Sequence, residues 1–109
     1  MARAINKEIV FDGQGTAATS KAFGCTNAAT LKVQLEGTGE GVSLSIKGRV
    51  GNEMEYENIA IFKDSDLSQL STISANGTYS CDITGFDSVI ADLTAITSGN
   101  IKVCLKAVE

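Results

Sequence analysis

Apolar and polar residues alternate one by one through most of this chain. That period of two is the mark of strands with one face buried and the other in water. Leu31, Val33 and Leu35 alternate with Lys32, Gln34 and Glu36. Val42, Leu44 and Ile46 alternate with Ser43, Ser45 and Lys47. Tyr79, Cys81 and Ile83 are separated by Ser80 and Asp82, and Ile101, Val103 and Leu105 by Lys102 and Cys104. Each run is short and bounded by Gly, Asn, Asp or Ser, as strands are. Helical spacing occurs at Phe86, Val89, Ile90 and Leu93, but Val89, Ala91 and Leu93 also alternate, and the strand reading is preferred there. The pattern predicts an all-β protein: an antiparallel β-sandwich, jelly-roll-like, of about eight short strands.

The chain contains no Pro, so Gly and Asn must supply its turns. Gly37-Thr38-Gly39-Glu40-Gly41 reads as a hairpin loop between the first two runs. Asn76-Gly77 reads as a type I′ turn pairing Leu70–Ser74 with Thr78–Ile83. Thr97-Ser98-Gly99-Asn100 leads into the last strand, and Asp64-Ser65-Asp66-Leu67 can hold a single turn. Residues 1–29 are expected to form an N-terminal arm or the first strands, with Ile9 to Phe11 as one of them. Residues 30–109 form the sandwich core, the whole being one domain.

A chain of 109 residues can bury a core without disulfides or metal. Cys25, Cys81 and Cys104 are odd in number and irregularly spaced, and are expected to be reduced, half-buried or buried thiols. The net charge is −4, and no Lys/Arg cluster is longer than a pair along the sequence. Nucleic acid and anionic membrane surfaces are therefore not expected partners. No apolar run has the length of a membrane span. The opening Met1-Ala2-Arg3-Ala4-Ile5-Asn6 carries neither an apolar signal core nor the Gly that myristoylation needs.

The chain lacks His, which removes Ser-His-Asp and Cys-His catalysis and the common zinc patterns. No catalytic residues and no cofactor are expected, and the chain is read as a non-enzyme. Glu53, Glu55 and Glu57 would share one face of a strand, with Met54 and Tyr56 on the other. They are weak candidates for holding a cation, although such a row usually serves as a solvated face that discourages aggregation. Asp64 and Asp66 resemble the start of a calcium loop whose remainder is missing. Phe11, Phe23, Phe62 and Phe86 border apolar runs and suit the core. Tyr56 and Tyr79 are the plausible residues for stacking on a sugar, Tyr79 also fitting a packing role with its hydroxyl at the surface.

From Leu31 to Leu105 the chain resembles a small β-sandwich module of tailed-bacteriophage virion proteins. The resemblance is carried by Leu31-x-Val33-x-Leu35-x-Gly37, Ile73-x-x-Asn76-Gly77-x-Tyr79 and Asp82-x-x-Gly85. It continues through Val89-x-x-x-Leu93-Thr94-x-x-Thr97-Ser98-Gly99-x-Ile101-x-Val103. The chain departs from the pattern at Lys47-Gly48-Arg49, where an aromatic is usual, and at Ile90 and Asp92, where basic residues are usual. The resemblance implies a structural protein of the virion, of head decoration or fibre type or a tail or baseplate component, made in the bacterial host cytoplasm. It implies no catalytic residues. The expected partners are further copies of itself, in closed homo-oligomers such as trimers, other virion proteins, and a host surface glycan. The competing expectation is a carbohydrate-binding or adhesion module.

Overall fold

Eleven strands and no helix make up the computed structural model, which describes residues 3–109. The readings that fell on Met1 and Ala2 lie outside the described residues. The strands are β1 (Ala4–Gln14), β2 (Ala18–Thr19), β3 (Phe23–Gly24), β4 (Thr30–Gly37), β5 (Ser43–Arg49), β6 (Glu57–Asn58), β7 (Ile61–Lys63), β8 (Gln69–Leu70), β9 (Gly77–Asp82), β10 (Ser88–Ala95) and β11 (Ile101–Val108). They form two sheets. One has six strands in the order β1-β11-β4-β9-β7-β8. The other has the order β2-β10-β5-β6, with β3 also paired to β10. All the pairings are antiparallel.

The alternation read from the sequence is the alternation of burial. Leu31, Val33 and Leu35 of β4, with Ile101, Val103, Leu105 and Ala107 of β11, point inward from the six-stranded sheet. Leu44 and Ile46 of β5, with Val89, Ala91 and Leu93 of β10, point inward from the other. Val89 to Leu93 is thus strand, not helix. Fully burying a Leu or Ile contributes about 1.5–3 kcal/mol, whereas an exposed ion pair contributes about 0–1 kcal/mol. The sheets are therefore held together by these inward faces. Phe11 and Phe23 join this core, while Phe62 and Phe86 are half-buried.

Three local expectations are overturned. Gly37 to Gly41 does not close a hairpin, because β4 and β5 lie in different sheets and the segment crosses between them. Both runs need their apolar faces in one core, and facing layers satisfy both. The crossing segment is anchored instead by the 97–100 turn, where Glu40 and Ser98 form a bridge and Thr97 donates to the Glu40 carbonyl. Asn76-Gly77 is not a type I′ turn either. Gly77 has φ +151°, but Asn27 and Leu67 are the residues other than Gly that take positive φ among those described. Asn76 instead donates its side-chain amide to the Gly37 carbonyl at 3.0 Å. The residues before it run across to the second sheet, where Ile73 bridges Leu44, and β9 pairs with β4 and β7.

The third correction concerns Glu53, Glu55 and Glu57. Only Glu57 lies in a strand; residues 51–54 are turn and bend, entered through Gly51 at φ +78°. The three carboxylates therefore do not share one strand face. In the first 29 residues, β1 is an eleven-residue strand along the outer side of β11, extending beyond the Ile9–Phe11 stretch and through Asp12 and Gly13. It shifts register three times, between Ala4 and Asn6, Ile9 and Phe11, and Asp12 and Gln14. Such bulges twist an edge away from unwanted pairing.

Candidate interaction surface

The outward side of the six-stranded sheet gathers charges that are distant in sequence. Register sets Lys7 of β1 opposite Lys106 of β11, and Lys106 opposite Lys32 of β4. One row further along, Ile9, Cys104 and Gln34 lie side by side. Beyond them Lys102 sits between Asp12 and Glu36. Directly opposed residues in neighbouring strands have their Cβ atoms about 5 Å apart, and like charges so placed repel. Lys7, Lys32, Gln34, Asp64, Cys104 and Lys106 line a shallow hollow of about 430 Å³. A second hollow continues from it along Ile9, Glu36 and Lys102.

The row is neutralised at one end. Lys32 Nζ donates to Ser80 Oγ at 2.7 Å and lies 3.2 Å from Asp64 Oδ2, and Ser80 Oγ donates to Asp64 Oδ1 at 2.6 Å. The hydrogen bond from Ser80, with help from Lys32, holds the Asp64 carboxyl below its usual range. Lys7 and Lys106 form no ion pair among the described residues. Ile9 is 49% exposed beside them, a large apolar side chain left in water.

The residues singled out in the sequence are not brought together. Among the described residues no group of three or more Cys, Asp or Glu is placed to hold a metal ion. Asp64 is committed to Lys32 and Ser80. Asp66 accepts from the Ser68 backbone N–H at 3.0 Å and its hydroxyl at 2.7 Å, which lowers its carboxyl. This closes the single turn expected at 64–67, with the Leu67 N–H donating to the Lys63 carbonyl. Glu53 and Glu55 are exposed on the β5–β6 connection, and Glu57 is exposed at the start of β6.

Tyr79 is a core residue, not a stacking platform. It is 1% exposed and its hydroxyl donates inward to the Ala75 carbonyl at 2.6 Å. The surface hydroxyl expected from a hairpin is absent because the hairpin is absent. Tyr56 is half-buried on the other sheet. The Arg49 guanidinium lies 4.5 Å from the centre of its ring, and its hydroxyl is 2.9 Å from Ser88 Oγ. Lys47 and Asp92 pair nearby at 2.8 Å. All three cysteines are free thiols, Cys25 and Cys81 buried and Cys104 half-buried. The sequence reading missed the lysine row, because only the register of β1, β11 and β4 makes neighbours of positions 7, 106 and 32.

These features define a small two-layer antiparallel sandwich whose distinctive chemistry lies on an open sheet face. The chain belongs to the XepA family, whose family model matches residues 6–107. Two solved structures share the fold. The SPBc2 prophage-derived protein YomS superposes with a TM-score of 0.86 at 14% identity, over 100% of this chain and 96% of its own. The PBSX exported protein XepA superposes with a TM-score of 0.90 at 23% identity. That match covers 99% of this chain and 38% of XepA, so the chain spans well under half of that protein. No curated protein matches the chain. The resemblance to a small β-sandwich module of phage proteins is borne out in family and fold.

Proposed function

We propose that this chain is a phage-encoded structural protein that acts without catalysis, through contacts between its own copies and with other proteins of the particle. The observation that carries this reading is the end-to-end match of its fold to a prophage-derived protein of nearly the same extent, beside the chain's own membership of the XepA family. XepA is described as exported, which supports a place outside the host cytoplasm, on the released particle. The site chemistry agrees. Tyr79 is buried and Tyr56 is covered by Arg49, while the unneutralised charges of the six-stranded sheet lie on an open face suited to a macromolecular partner. Head decoration or fibre and tail component are the positions such a module would occupy, in a closed homo-oligomer.

The test is particle composition. Particles of the encoding phage, purified on a density gradient, should carry the chain in multiple copies, seen by quantitative mass spectrometry and by antibody labelling in the electron microscope. A chain that stays in the soluble lysate, with none on particles, would refute the reading.

A further inference from the structure

The hollow on the six-stranded sheet has the chemistry of an oxyanion site. Register sets Lys7, Lys106 and Lys32 side by side, with the Cβ atoms of neighbours about 5 Å apart. Like charges so close repel, and only Lys32 is neutralised, by Asp64. The charges of Lys7 and Lys106 have no ion-pair partner among the described residues. Gln34 and Thr78, opposite each other on β4 and β9, add an amide and a hydroxyl to the same wall. A dianion cancels the two free charges, and a tetrahedral one offers several oxygens to donors arriving from different strands. The same lysines repel a metal cation, and the carboxylate lining the hollow, Asp64, is already held by Lys32 and Ser80.

The hollow continues at one end. A second one of about 130 Å³ runs on past Ile9, Glu36 and Lys102. Glu36 accepts hydrogen bonds, Lys102 donates them and Gln34 does both. That mixture suits neighbouring hydroxyl groups, which donate and accept in turn. Ile9, 49% exposed, offers an apolar surface to the C–H side of a ring. We propose that the outer face of β1, β11 and β4 binds a phosphorylated sugar, its phosphomonoester among Lys7, Lys106 and Lys32 and its ring along Ile9 and Glu36. The main hollow, about 430 Å³, lies within the span of about 300–1,000 Å³ usual for small-ligand sites. A neutral sugar would leave Lys7 and Lys106 uncompensated, and an acidic peptide would set like charge against Glu36. The site stands whether or not the chain assembles with its own copies.

The ligand gives the site a pH signature. A phosphomonoester loses its second negative charge as pH falls through about 6. Facing the phosphate are Lys7 of β1, Cys104 and Lys106 of β11, Lys32 of β4 and Asp64 beyond β7, while Lys102 and Glu36 face the ring. Asp64 is held below its usual range and stays a carboxylate through this window, so the ligand supplies the change.

The test is a titration with glucose 6-phosphate at about pH 7.5, where the ester is dianionic, read on the backbone amides by NMR. The amides of Lys7, Gln34, Thr78, Cys104 and Lys106 should shift, and those of Lys47 and Asp92 on the other sheet should not. Inorganic phosphate should move the same amides with weaker affinity, and glucose should move none. Lys7→Gln combined with Lys106→Gln should weaken glucose 6-phosphate by about tenfold or more, the loss expected for charge-assisted hydrogen bonds. Glu36→Gln should weaken glucose 6-phosphate and leave inorganic phosphate unchanged. All three positions are exposed, and circular dichroism checks that the variants keep their sheets. Affinity should fall at about pH 5. No shift at about 10 mM ligand overturns the proposal, being weaker than any specific site would show. So do shifts confined to the other sheet, glucose binding as tightly as its phosphate, lysine variants as tight as the native chain, or equal affinity at both pH values. The amide map uses the native chain and decides the matter even where a variant misfolds.

Discussion

Gly99 holds a position that few other residues could occupy. Its φ is +74°, and a Cβ there would run into the carbonyl of Thr38. This is where the 97–100 turn packs on the segment crossing from one sheet to the other, so neither backbone can yield without moving a sheet. Gly99→Ala should cost at least about 2 kcal/mol in urea unfolding, from the left-handed backbone and the collision together; a cost under about 0.5 kcal/mol would mean the two turns are not locked. The cysteines give a second test. Burial pushes the Cys25 thiol up to about 11 and the Cys81 thiol up to about 12, with the nearby Asp87 and Asp64 carboxylates adding to each. The thiolate is the reactive form. Alkylation of the native protein near about pH 8 should leave both untouched until urea opens the core. Modification of either at the rate of a free thiol would contradict their placement.

Among the elements, β1 shows where sequence reading stopped. Its alternation is broken by three register shifts, one of them inside Ile9 to Phe11, so only that short apolar run marks a strand in the sequence. The two-residue strands β2, β3, β6 and β8 are too short to display any period. The long central strands were legible because each has one face wholly inside. Leu31, Val33 and Leu35 are all within 2% of complete burial, while Lys32, Gln34 and Glu36 are exposed. Connection was less legible than strand. A Gly-rich link looks the same whether it turns back within a sheet or crosses to the facing one, and the choice at 37–41 is made by the partners of Glu40 and Asn76 far along the chain. The pairing of β1 carries its own prediction. Phe11 is 5% exposed and β1 covers the outer edge of β11. A fragment of residues 30–109 should therefore fail to fold as a soluble unit, losing β1, β2 and β3 together. Native-like circular dichroism and a cooperative melt from that fragment would show that the first strands are an appendage.

At the scale of the whole molecule, the core and the interaction surface are read from different information. The core follows from alternation, which any stretch of the chain displays locally. The surface follows from register, which brings Lys7, Lys32 and Lys106 into one row from three separate stretches, and a count of basic residues along the sequence sees them as scattered. The same separation explains why acidic net charge and a basic face coexist in one chain. Protein-scale charge governs solubility and long-range repulsion, whereas contacts at short range depend on local charge such as this row. Native mass spectrometry of the purified chain at about physiological ionic strength tests the central claim, that this sandwich works by joining copies of itself. The account predicts a species whose mass is a whole multiple of 11.4 kDa, dissociating as salt is raised. A single 11.4 kDa species at every protein concentration would contradict it.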